Sequence, residues 1–132
     1  MFESESRIYN IFISHIGQNE DEYDIFMGKL SAAHDFEFKN LGILEKDKIT
    51  EKDLQEQIGP VGIVIILSGL YNKYKNIIKG QIDIANRFGK PIIVIRPYGM
   101  ENVPPELEEI AVDIVGWNAP CIVEAIVENY LE

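Results

Sequence analysis

The chain has a single cysteine, Cys121, in 132 residues. One thiol excludes an intrachain disulfide, so no oxidising compartment is called for and a reducing cytoplasm is the expected setting. Histidine is almost as scarce. His15 and His34 are the only two, they stand far apart, and neither falls into a metal-ligand spacing, which argues against a zinc site. Basic residues number 12 against 22 acidic ones, for a formal charge of −10. Such a field repels phosphate backbones and anionic lipid surfaces, leaving at most a local basic pocket for a small phosphorylated ligand. Long apolar runs are missing too. The longest, Ile63 to Leu67, is far short of the roughly 20 residues needed to cross a bilayer. The acidic opening Met1-Phe2-Glu3-Ser4-Glu5 is unlike a signal peptide. The expectation is a cytoplasmic protein that is neither secreted nor membrane-spanning and binds no nucleic acid.

What is present is the material of one folded domain over 1–132: 46% hydrophobic and 26% charged residues, with no repeat and no linker. Ile8 to Ile13 is β-branched and aromatic and stops at the polar turn Ser14-His15-Ile16-Gly17, which reads as a first strand. Behind Glu20, Asp21 and Glu22, acids suited to a helix N-terminus, Tyr23, Phe26, Met27, Leu30 and Ala33 recur at helical spacing. Phe36-Glu37-Phe38 is a weak second strand, and Thr50 with Asp53 forms a capping-box pattern for a short helix through Gln57. Val61 to Leu67 is apolar without alternation, as a strand buried on both faces must be. One long helix is expected from about Tyr71 to Phe88, ended by Gly89 and Pro91, and Pro91 to Ile95 forms the next strand. Pro104-Pro105 opens a helix, Ile114-Val115 is a short last strand, and Asn118 caps a helix to Leu131. The segment from Leu41 to Lys52 is charged and unpatterned and reads as a mobile loop.

Strands separated by helices run parallel with right-handed crossovers. The expected fold is therefore α/β and flavodoxin-like: a three-layer, doubly wound, five-stranded parallel sheet of order 2-1-3-4-5. Ligands of such sheets bind at the carboxyl ends of strands one and three, so the turns at Ser14 and Ser68 should face each other across a cleft. Several families share the fold, and the residues must choose among them. A phosphoacceptor site of the receiver type would want an aspartate where Ser68 stands and acids at Ser14-His15. An FMN phosphate cradle would want more hydroxyl and glycine donors than Ser14-His15-Ile16-Gly17-Gln18-Asn19 provides.

Ile11-Phe12-Ile13-Ser14-His15 resembles the first box of TIR domains, and Ser68 through Ala85 resembles their strand-three turn and following helix. Gly89-Lys90-Pro91 through Gly99, Val103 to Leu107 and Val115-Gly116-Trp117-Asn118 are similar to the small stand-alone TIR-like proteins of bacteria and archaea. The stretch from Leu41 to Pro60 matches poorly. The resemblance implies NAD or an ADP-ribose derivative as substrate or ligand, nicotinamide–ribose cleavage in competent members, a role in antiphage signalling, and self-association or a protein partner. It also implies a glutamate on the helix after strand three, in a Glu-Ile-x-x-Ala pattern, where this chain reads Gln81-Ile82-Asp83-Ile84-Ala85. A carboxylate there would balance oxocarbenium-like charge, whereas an amide of the same shape carries none. Three origins fit the amide: a non-catalytic member, a member using another acid, or deliberate replacement of a native glutamate. The aromatic residue usual four positions earlier is replaced by Ile77.

Gln81 thus marks the catalytic position, and it projects within an apolar face formed by Tyr74, Ile78, Ile82 and Ala85 with Ile77, Ile84 and Phe88 on the flank. A glutamine so placed is either satisfied by backbone or turned to a ligand, and the cleft favours the ligand. Ser14, His15, Ser68, Tyr71, Tyr74 and Arg96 are the candidate nucleotide-binding residues. Arg96 closes strand four, where its guanidinium either forks onto a pyrophosphate or pairs with a surface acid. Tyr71, Tyr74, Tyr98 and Trp117 sit near strand ends, as stacking plates or core lids. Cys121 reads as a small core side chain and His34 as a solvated helix end.

Overall fold

A computed structural model describes residues 7–16, 20–42, 50–99 and 102–132. The elements follow in order: β1 (Ile8–Ile13), α1 (Asp21–Ser31), β2 (Glu37–Asn40), α2 (Glu51–Ile58), β3 (Ile63–Leu67), α3 (Ser68–Lys73), α4 (Lys75–Arg87), β4 (Ile92–Ile95), α5 (Pro105–Ile110), β5 (Asp113–Val115) and α6 (Ala119–Asn129). The strands form one sheet of order β2-β1-β3-β4-β5, parallel at every pairing. This is the doubly wound, flavodoxin-like α/β arrangement. β3 is central, and all five of its residues are buried, which is why its sequence shows no alternation. α1 packs with α6, while α2 and α3 pack with α4. Right-handed crossovers put these two groups on opposite faces of the sheet.

Local signals set the ends. The Thr50 hydroxyl accepts from Asp53 N and the Asp53 carboxylate accepts from Thr50 N, a reciprocal capping box. The Asn118 side chain accepts from Cys121 N at 3.1 Å and caps α6. α4 ends with Gly89 at φ 66°, Gly89 N bonded to Asn86 O and Lys90 N to Ala85 O. That is a Schellman termination, and it needs the left-handed residue that glycine supplies without strain. At the amino edge of the sheet, Leu131 N donates to Gly62 O and Asn10 N to the Tyr130 hydroxyl, closing the C-terminal segment against β1 and β3.

Four expectations change. The long helix after β3 begins earlier, at Ser68, and is broken at Tyr74, whose φ −133° and ψ 54° lie outside the helical region. Tyr74 ends α3 through Tyr74 N to Leu70 O and opens α4 through Ile78 N to Tyr74 O, so the chain turns with little loss of hydrogen bonding. Ile77 and Phe88, expected on the buried flank, are 48% and 41% exposed because they stand in the first turn and at the C-cap of α4, while Ile78, Gln81, Ile82, Ile84 and Ala85 between them are buried. Cys121 is exposed and not core, because the inward stripe of α6 is Ile122, Ala125 and Ile126. The loop expected from Leu41 to Lys52 is shorter at its far end, since Glu51 and Lys52 belong to α2; residues 43–49 lie outside the described residues, as do Gly17, Gln18 and Asn19 of the first turn.

Candidate functional site

The carboxyl ends of β1 and β3 are tied together by Ser14. Its N donates to Ile65 O at 2.8 Å and its hydroxyl accepts from Leu67 N at 2.9 Å. Both contacts lie at the point where the sheet reverses its winding, and they hold Ser14 against Leu67, the residue before Ser68. Ser14 is engaged with backbone. The Ser68 hydroxyl is fully buried and has no hydrogen-bond partner.

Gln81 reaches this edge from α4. It is 1% exposed, its Nε2 donates to the His15 carbonyl at 2.7 Å, and its Oε1 has no partner. A buried amide oxygen without a donor costs on the order of 1–3 kcal/mol, and native interiors rarely leave one so. The His15 ring is 6% exposed, tilted against Phe12 at 5.5 Å, and beneath Gly42, where a Cβ would approach its Cδ2 to 3.2 Å. Burial pushes its pKa down, opposed by a hydrogen bond with the Gln57 side chain, so the imidazole is neutral at neutral pH.

The remaining candidates are placed differently. Tyr71 is 3% exposed, and its hydroxyl donates to Glu106 at 3.0 Å, pinning α3 to α5. Its phenol is pushed up to about 12 by burial and by the Glu106 carboxylate. Tyr74 is half-buried at the α3–α4 break. Arg96 follows β4 with its side chain exposed, its backbone bonded to Val115 O and to the Trp117 indole. Trp117 packs edge-on to Phe26 and to Tyr98, which is 58% exposed. Ser14, His15, Ser68 and Gln81 therefore form one locus, while Tyr71 faces α5.

Two polar residues at the same edge escaped sequence reasoning. Asn40, 6% exposed at the end of β2, accepts from Ile13 N and Gly42 N and donates to the Tyr23 hydroxyl, fixing the β1–β2 edge. In the sequence Glu22 reads only as a helix-start acid. Its carboxylate lies against Gly69, beside Ser68, where a methyl group would overlap it. Desolvation pushes that carboxyl up, opposed by the Gly69 backbone and then by Lys73 and the Tyr98 backbone. Spacing sets Glu22 four residues before Phe26 on one side of α1, but nothing in the sequence names Gly69 as the residue it meets.

Elsewhere, a groove of about 800 Å³ runs between the end of α1 and α6, lined by residues including Ala33, His34, Cys121 and Val127. It contains none of the site residues. Among the described residues no group of three or more His, Cys, Asp or Glu could hold a metal ion, and no helix is long and apolar enough to cross a membrane.

A family model described as "Thoeris protein ThsB, TIR-like domain" matches residues 12–102. No curated protein matches the chain. The matched span is more than half of the chain and runs from within β1 past β4, taking in Ser14, His15, Ser68, Gln81 and Arg96. By this match and by its sheet order, the chain belongs to the TIR-like domain family of the Thoeris protein ThsB.

Proposed function

We propose that this protein is a TIR-like nucleotide-signalling component of antiphage defence that binds NAD or an ADP-ribose derivative at the carboxyl edge of β1 and β3, with NAD cleavage impaired by Gln81. The observation that carries this reading is the pair of unsatisfied buried atoms, Gln81 Oε1 and Ser68 Oγ, at the winding reversal of the sheet. Both atoms are enclosed by protein, so a ligand reaches them as the loops of this edge part; the Gln81 amide oxygen then accepts from a ribose hydroxyl and the Ser68 hydroxyl donates to a phosphate or ribose oxygen.

Cleavage of the nicotinamide–ribose bond sends the bonding electrons to nicotinamide and leaves positive charge on the ribose carbon. Water then adds there and releases a proton, giving ADP-ribose. A carboxylate at position 81 would stabilise that charge, and an amide supplies only a dipole. Binding without efficient turnover is the consequence. Titration of the purified protein with NAD and ADP-ribose by calorimetry tests the reading, and no binding of either at millimolar concentration removes it.

The absence of a charge at Gln81 also favours a second reading, a non-catalytic module that acts by self-association or by docking a protein partner through its acidic surface. Sedimentation across a concentration series separates the two. A strict monomer that binds NAD supports the first, and an oligomer indifferent to nucleotide supports the second.

A further inference from the structure

The site lacks the family's glutamate on α4, yet it is not without a carboxylate. Glu22 comes from the opposite face of the sheet, from the first turn of α1, and its carboxylate reaches the β3–α3 turn. Gly69 is what makes room for it. Its backbone is helical and does not require glycine, but any side chain there would collide with Glu22 Oε1 and Oε2. The backbone of Tyr98 after β4 faces the same carboxylate, so the acid is bracketed by the loops that follow β3 and β4.

The Gly69 and Tyr98 backbones hydrogen-bond this carboxylate, and Lys73, whose Nζ pairs with Glu20 at 3.2 Å, acts on it through its charge; Oε2 is the oxygen left with no donor. Beside it, Ser68 Oγ is buried and unpartnered as well, and Gln81 Oε1 adds a third such atom at the same edge. A desolvated carboxylate with an oxygen to spare is costly. Hydroxyl donors from a ligand remove that cost, and a vicinal diol presents two at a spacing that suits one carboxylate.

We infer that Glu22 is the charged residue of this site and that it accepts the hydroxyls of a ligand's ribose in the seat formed by Gly69 and Tyr98. This rests on the nucleotide reading above and specifies the group of the ligand that is recognised. It also assigns the acid to α1, so that β1, β3 and β4 all contribute their carboxyl ends to one binding edge.

The test is calorimetry with ADP-ribose as the probe on the parent protein, Glu22→Gln, Gly69→Ala and the double variant. Glu22→Gln keeps the shape and removes the charge; Gly69→Ala keeps the charge and displaces the carboxylate. Each single change should weaken ADP-ribose by about tenfold, and the double variant should be no weaker than either, because both act through one group. Thermal melts confirm that each variant is folded, and the near-isosteric Glu22→Gln keeps the test open should Gly69→Ala fold poorly. If the parent binds ADP-ribose and Glu22→Gln binds it equally well, or if the two losses simply add, the assignment of Glu22 is overturned while the nucleotide reading stands. If the parent binds neither ADP-ribose nor NAD at millimolar concentration, the nucleotide reading falls and the assignment with it.

Discussion

Restoring a carboxyl group by Gln81→Glu should have two opposed effects, and their pH dependence is the informative part. The Gln81 Nε2 donates to the His15 carbonyl at 2.7 Å from a side chain that is 1% exposed. An ionised carboxylate cannot donate. The variant loses one hydrogen bond, worth about 1 kcal/mol, and leaves a buried carbonyl unsatisfied against a negative charge, a further cost of roughly 1–3 kcal/mol. A protonated carboxyl can donate to the same carbonyl and avoids most of this. The new group therefore has a folded pKa raised above its unfolded value. Its native state is favoured below the unfolded glutamate pKa, and that stability is lost as pH rises through the folded pKa. Urea denaturation should place the variant within about 1 kcal/mol of the parent near pH 4.5 and about 2–4 kcal/mol below it at pH 8. NAD cleavage should appear as the group ionises, with an enhancement over the parent of roughly a hundredfold or more. A variant as stable as the parent at every pH would show that the amide is not held by His15, and strong NAD cleavage by the parent would show that position 81 is not the catalytic one.

Three further outcomes follow from the packing. Gly62→Ala puts a methyl group against the Tyr130 ring and 2.7 Å from Leu131 O; urea denaturation should show a loss of about 1–3 kcal/mol, with nucleotide affinity unchanged because this is the amino edge of the sheet. Asn118→Ala removes the cap that accepts from Cys121 N and should cost about 1 kcal/mol in the same assay. In ultraviolet titration the Tyr71 phenol should ionise only at about 12, a step that Tyr71→Phe removes.

The sheet was readable because its signals are local and redundant. The unbroken apolar run Ile63–Leu67, the Thr50–Asp53 box, Gly89 and Asn118 each fix an element edge without reference to the rest of the chain. The break at Tyr74 was not readable, since no glycine or proline marks it and its geometry is held by tertiary packing. Helical periodicity sets Ile77 and Phe88 on the face of Gln81 and Ile84, but they stand at the two ends of α4, beyond the covered stretch, and are exposed. Cys121 was misplaced for a different reason: a small apolar residue next to an inward stripe has little preference of its own, and the phase of α6 decides it. At the site, Ser14, Ser68 and Gln81 could be placed because strand order dictates which turns meet. Glu22 and Asn40 could not, because their partners Gly69, Gly42 and Ile13 come from other elements and leave no spacing in the sequence.

Amide chemical shifts recorded while ADP-ribose is added to the isotope-labelled protein report whether the carboxyl edge of β1 and β3 is a nucleotide site. Saturable shifts are expected at Ser14 to Ile16, at Ser68 and Gly69, and in the Gln81 side-chain amide. Shifts confined to the α1–α6 groove around Ala33, His34 and Cys121, or none at millimolar ADP-ribose, would contradict a nucleotide site there.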